Sequence, residues 1–292
     1  MSSSRENLGL LLGFVAVVIF GGTFPATRIA VAVLDPWFVT AARVGFSGLG
    51  AALLLGALRR PLPPRADWPA LAVVALCLVI AFPALTAFAM VTVPAAHAGI
   101  VLGILPLATV ATAALLAGER PSAGFWLLGT CGAALVIVYA LRNGGAGELA
   151  AGDLLLVGAT AVNAIGYTLS ARLSLRMPAW EVISWALAIS LPIFGPATLL
   201  LWPSDAATVS ATAWASVFYV ALLPQFLAFF AWNAGLAIGG IARVSQIQLL
   251  QTFVTVALAA WINAEPVDLE TVLFAAAVVG TVMLGRRMRV AR

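Results

Sequence analysis

Ten apolar runs, each long enough to cross a bilayer as a helix, occupy nearly the whole chain. A span needs roughly 20 apolar residues to cross about 30 Å of hydrocarbon, and only helices or closed barrels satisfy their own backbone hydrogen bonds there. Strand-like alternation of apolar and polar residues is absent, so the chain reads as an all-α integral membrane protein. Composition excludes a soluble domain: 63% of the 292 residues are hydrophobic and 9% are charged, where a soluble domain carries about a quarter charged. The spans fall at 8–28, 36–58, 68–91, 97–117, 122–141, 151–173, 179–201, 212–236, 243–263 and 268–286. The polar stretches Arg59 to Trp68 and Arg142 to Asp153 suit surface turns, and the second divides the chain into 1–147 and 148–292.

The basic residues, all arginine, set the expected orientation. With ten spans both ends share one side, which holds 12 of the 15 arginines, and cytoplasmic loops collect positive charge. Both termini are therefore expected in the cytoplasm, and the net charge of +4 requires no nucleic acid. Asp35, Glu148, Asp153, Asp205, Glu265, Asp268 and Glu270 face the other way. The first run resembles a signal peptide in having Arg5 ahead of it, but its apolar core is long for one. Cys77 and Cys131 lie within different spans and read as packing residues.

An internal repeat carries the mechanism. Gly99 to Glu119 superposes on Ser245 to Glu265 at a shift of 146 residues. Asp35-Pro36-Trp37 opens the second span as Met177-Pro178-Ala179-Trp180 opens the seventh, and Phe20-Gly21 has a counterpart in Ile165-Gly166. Five spans is an odd number, so the second copy enters from the opposite face. Such inverted repeats place a substrate site near the midplane, where the two copies meet.

Phe20-Gly21-Gly22-Thr23-Phe24-Pro25, Pro36 with Arg43 seven residues on, Pro106 followed by Gly118-Glu119-Arg120, and Gly152-Asp153-Leu154 give the chain a family resemblance. It resembles the drug/metabolite transporter superfamily, EamA type, and within it the YddG-like amino-acid exporters. The resemblance implies a monomer in the bacterial inner membrane, with ten helices around a central cavity lined by both halves, exporting metabolites. Aromatic amino acids are implied by the resemblance alone. One departure is the ninth span, which lacks the proline matching Pro106 and reads Ser245-Gln246-Ile247-Gln248-Leu249-Leu250-Gln251-Thr252.

Polar groups in hydrocarbon are costly and mark a wet cavity or bonds between helices. Gln248 and Gln251 share a helical face near Ser245 and are read as cavity lining, with interhelical packing as the alternative. Asn163 and Tyr167, four apart, share a face in span six, and Thr23 occupies the matching part of span one. Gln225, beside Pro224, reads equally as a substrate contact and as a partner for carbonyls freed by the proline. Phe82, Phe88, Trp185 and Trp232 suit flat apolar cargo or packing, while Trp37, Trp68, Trp180, Trp202 and Trp214 fit the interfacial belt. Arg43, the one cation well inside a span, either attracts a substrate carboxylate or serves structure. His97 begins span four, where it serves as a boundary residue or titrates. Bending is expected at Pro25, Pro83, Gly99, Pro106, Pro224, Gly239 and Gly240.

Absences bound the chemistry. No acidic residue lies mid-span, the chain has no lysine, and no phosphate-binding loop is present. An intramembrane enzyme would need clustered acids, bases or metal ligands; no cofactor and no metal is expected. What remains is a secondary transporter of small molecules such as amino acids, working by facilitated diffusion. Open alternatives are a proton-coupled exporter of drugs or other metabolites, using His97, and a channel.

Overall fold

Asp35 and Pro36 show how the helices start. The Asp35 carboxylate accepts the Trp37 N–H at 2.7 Å and the Phe38 N–H at 3.3 Å, and Pro36, first in its helix, lacks the N–H that would go unpaired there. Ser210 caps the helix that opens at Ala211, accepting from the Ala213 N–H at 3.2 Å. Asp268 accepts the Thr271 N–H at 2.8 Å; that bond draws its carboxyl below the usual carboxylate range, so this cap is present at neutral pH and is lost on strong acidification.

A computed structural model describes residues 3–117, 120–143, 151–239, 247, 250–285 and 290–291. The helices are α1 (Asn7–Val31), α2 (Pro36–Ala57), α3 (Arg65–Thr92), α4 (Ala95–Leu116), α5 (Ala123–Asn143), α6 (Ala151–Leu173), α7 (Ala179–Leu200), α8 (211–239), α9 (Leu250–Ile262) and α10 (Leu269–Gly285). Seven of them, α1 to α4 and α6 to α8, contain apolar runs long enough to cross a membrane; the apolar parts of α5, α9 and α10 are shorter. The described strands form one two-residue antiparallel ladder, Arg120–Pro121 with Val290–Ala291.

Six buried hydroxyls are satisfied inside their own helices, which suits a helix embedded in lipid. Thr27, Ser47, Thr86, Thr160, Ser190 and Thr198 each donate to the carbonyl four residues back, at 2.6–2.9 Å. Outward surfaces are apolar: Leu115, Leu200 and Trp261 are each more than four-fifths exposed, a belt that only a hydrocarbon environment covers.

α2 packs against α7, α1 against α8 and α9, α3 against α6, α4 against α6 and α9, and α5 against α10. One apolar core joins Phe24, Ile100, Leu156 and Val278, and another joins Val44, Leu71, Leu187 and Phe226. The α2–α7 contact depends on small residues, as close helix packing in lipid does. A Cβ at Gly48 would lie 3.0 Å from the Leu187 carbonyl oxygen, and one at Gly45 would lie 3.1 Å from that of Phe194. Backbone cannot yield as a side-chain tip can, so Gly48→Leu is expected to lower stability by about 1–3 kcal/mol or more. Thermal unfolding in detergent tests this; an unchanged midpoint would show that the two helices separate freely.

Candidate functional site: a cavity at four helix breaks

Four helices are interrupted where they border one cavity. The helix that contains α1 is interrupted at Gly22, between Ser3–Gly21 and Thr23–Val31. α3 widens into a π-helical stretch, Ala75–Ala81, just before Pro83. α4 tightens into a 3-10 turn, Leu102–Ile104, ahead of Pro106, and α8 widens over Leu223–Leu227 around Pro224. Proline removes one i to i−4 bond and collides with the carbonyl four residues back, which accounts for three of the breaks.

A cavity of about 850 Å³ of empty space, part of it open to the exterior, lies where these breaks meet. The breaks supply Phe20, Thr23 and Phe24 from α1, Leu78 and Phe82 from α3, Leu102, Gly103 and Leu105 from α4, and Pro224, Gln225 and Phe229 from α8. The rest of the lining is Arg43 of α2, Gly99 of α4, Asn163 and Tyr167 of α6, Gln251, Thr252 and Thr255 of α9, and Val279 of α10.

Arg43 is held by one edge. Its Nε donates to Gln225 Oε1 at 2.9 Å, and Gln225 Nε2 donates to the Leu78 carbonyl at 3.3 Å. The Phe82 ring lies 5.9 Å from the guanidinium carbon, within reach of a cation–π attraction. The residue is only 4% exposed, and its buried Nη1 has no hydrogen-bond partner among the described residues. A desolvated guanidinium with an unused donor is matched best by a carboxylate.

Of the residues expected from sequence, Thr23, Arg43, Phe82, Asn163, Tyr167 and Gln251 line this cavity. Phe88 instead stacks edge-on with Trp37, ring centroids 4.8 Å apart, and Trp185 packs against the core shared by α2, α3 and α7. Trp232, half-buried on α8, is not part of the lining. Ser245, Gln248 and Gly240 lie outside the described residues. Among the expected hinges, Pro83 and Pro224 sit at breaks, Pro106 follows one by two residues, Pro25 follows the Gly22 interruption by three, Gly99 lines the cavity, and Gly239 ends α8. Sequence reasoning missed Phe20, Phe24, Phe229 and Thr255 as lining. Phe20, Thr23 and Phe24 have the i, i+3, i+4 spacing of one helical face, which was the available signal. Gln225 serves a carbonyl in the π-helical stretch of α3, rather than one on its own helix.

Charged groups join helices at both ends. At one end Glu265 accepts the N–H groups of Ala95 and Ala96, at 2.8 and 2.9 Å, and lies 3.4 Å from Arg28. Arg28 donates in turn to the carbonyls of Met90 and Val93, and Arg142 pairs with Glu270. Beside them His97 Nε2 lies 2.7 Å from Asp153 Oδ1, their side chains 5% and 4% exposed. Nothing in the sequence signals that these two residues, each at the start of its helix, are buried together. Gly152 lets the start of α6 pack tightly against Val93, burying the pair, and the first turn of a helix favours a carboxylate. At the opposite end Arg176 pairs with Asp67 at 2.6 Å and Arg60 with Glu181 at 3.4 Å. Cys77 is buried as expected for packing, whereas Cys131 is exposed. Among the described residues no three His, Cys, Asp or Glu side chains group closely enough to hold a metal.

The EamA-like transporter family model matches residues 7–142 and 150–285. A Bacillus subtilis protein named "Uncharacterized transporter YdeK" is 41% identical over 97% of this chain and 99% of its own. A Streptantibioticus cattleyicolor protein named "Probable terminal-alkyne amino-acid exporter" is 25% identical over 98% of this chain and 95% of its own. A solved crystal structure superposes with a TM-score of 0.63 at 20% identity, over 96% of this chain and 98% of that one, and so shares the fold. The chain belongs to the EamA-like transporter family and is a membrane transporter, not an enzyme.

Proposed function

We propose that this transporter exports small metabolites, chiefly amino acids including aromatic ones, by alternating access and facilitated diffusion. The cavity carries the reading: its described lining offers one guanidinium, three amides, several hydroxyls and a set of phenyl faces. A carboxylate matches Arg43 Nη1, an ammonium matches the amide oxygens of Asn163 and Gln251 and the ring faces, and an apolar side chain matches Phe20, Phe24 and Phe229. The relative named as an amino-acid exporter supports the same substrate class.

The reading includes ten spans in two inverted five-helix repeats, 1–147 and 148–292. Two separate family matches support it, and so do the helix contacts. Exchanging α1 to α5 with α6 to α10 turns the α1–α8 contact into α6–α3 and the α4–α6 contact into α9–α1. The same exchange returns α2–α7, α4–α9 and α5–α10 to themselves. Such symmetry lets one sequence build two mirror-related open states, with the broken helices bending at Pro25, Pro83, Gly99, Pro106, Pro224, Gly239 and Gly240. The arginine distribution supports a cytoplasmic position for both termini in a bacterium, and a cavity lined by helices of one chain supports a monomer.

The test is counterflow. Proteoliposomes preloaded with unlabelled phenylalanine should take up labelled phenylalanine saturably and above empty vesicles, and an imposed pH gradient should drive no accumulation past equilibrium. Lack of counterflow with phenylalanine, tryptophan and aliphatic amino acids would overturn the substrate class. Gradient-driven accumulation would overturn facilitated diffusion.

A further inference from the structure

We propose that His97 and Asp153 form a proton-binding latch across the outer mouth, so that acid on the outside holds the transporter closed there. The inference rests on the alternating-access reading and adds regulation to it.

The two side chains come from different halves, His97 from the first turn of α4 and Asp153 from the first turn of α6. At 2.7 Å with both nearly inaccessible, Nε2 and Oδ1 are in direct contact, and a proton between them is what makes that contact favourable. The 3-10 turn Leu102–Ile104 follows His97 within α4, so the segment Ala95–Val101 has its own hinge. Gly99, two residues past His97, lines the cavity. Any outward opening that swings this segment from α6 must break the pair.

The surroundings are acidic. Glu265, on the N–H groups of Ala95 and Ala96, faces His97 from the connection between α9 and α10, with Arg28 of α1 beside it. The Tyr139 ring of α5 lies against the imidazole at 4.9 Å and its hydroxyl is 3.5 Å from that of Thr271. Behind Tyr139 are Asp268, and Glu270 held by Arg142. Among the described residues this makes, with Asp153, four carboxylates against two guanidiniums; burial opposes a charged imidazole here, and Asp153 and Glu265 favour one, with the added proton at Nδ1. The added proton turns a neutral donor into an imidazolium facing a carboxylate, adding an attraction between opposite charges to a contact that the ionised acceptor already assists. Opening would then separate opposite charges in a low-dielectric setting, which costs more than parting a neutral imidazole from a carboxylate.

The experiment reads distance, independently of any substrate. In a chain with Cys77 and Cys131 replaced by alanine, spin labels on Pro94→Cys, just before α4, and Ala151→Cys, at the start of α6, both exposed, flank the pair. Pulsed dipolar spectroscopy in lipid nanodiscs is expected to show a longer-distance population at about pH 8.5 that falls about tenfold relative to the short one at about pH 5.5. His97→Gln, which keeps a donor but cannot take the proton, should give the same distribution at both values; Asp153→Asn is the second variant should the first fail to fold. A wild-type distribution unchanged by pH, or a full pH response kept by either variant, overturns the latch. Phenylalanine counterflow, run in parallel, should slow about tenfold with outside acid in the wild type only. Failure of that transport at every pH with the distance response intact would overturn the substrate reading and leave the latch standing.

Discussion

Arg43→Gln is expected to raise the KM for an amino-acid substrate about tenfold to a hundredfold in counterflow while leaving the protein folded. A hydrogen bond to a charged group contributes about 1.5–3 kcal/mol, and only the guanidinium can offer a charged donor to a carboxylate in this cavity. The glutamine amide can still reach Gln225, which otherwise would lose the partner it has at 2.9 Å. Stability should move little, because removing a desolvated cation offsets the loss of its hydrogen bond. Arg43→Lys should fall between the two, since a point charge lacks the fork that lets one edge grip Gln225 while the other meets the substrate. Unchanged transport kinetics in both variants would reduce Arg43 to a tie between α2 and α8.

Glu265→Ala is expected to produce the largest loss of stability, about 3–5 kcal/mol. One carboxylate accepts two N–H groups at the start of α4 and faces Arg28. Its removal strands two backbone donors in a mostly buried setting, each costing about 1–3 kcal/mol. Glu265→Gln should recover part of the loss, because its amide oxygen accepts one of the two bonds. Thermal unfolding in detergent reads the difference, and equal midpoints for wild type and alanine would mean that water replaces the carboxylate. Presentation of Glu265 has its own strain: Ala264 just before it sits at φ 52, a left-handed conformation that favours glycine. In the repeat alignment the residue matching Ala264 is Gly118.

Helix positions were legible in the sequence because apolar length is a strong signal, and span boundaries at Pro36, Ala151 and Ala179 coincide with the structure. Cavity residues with a polar reason to be inside, such as Asn163 and Gln251, were legible for the same reason. Aromatic residues were not. A phenyl ring has equal cause to face a core, a cavity or lipid, so Phe82 and Phe88, six residues apart on one helix, go to different places. His97 and Asp153 were illegible as a pair because nothing in 56 residues of separation links them. Their meeting follows from α4 packing on α6 and from the glycine that brings α6 close to Val93.

The guanidinium tethered through Gln225 to α3 has an electrical consequence. Arg43 is the only charged residue in the described lining, and under the alternating access proposed above it would stay with the cavity as the open side changes. If the membrane field falls across whichever gate is shut, a positive cavity crosses that field on every turnover when empty or carrying a zwitterion, and a neutral one crosses when it holds an anion. A charge traversing the full field exchanges about 2.3 kcal/mol per 100 mV. The resting potential of the cell would therefore bias which side an empty carrier waits on, although a zwitterionic cargo moves no net charge of its own.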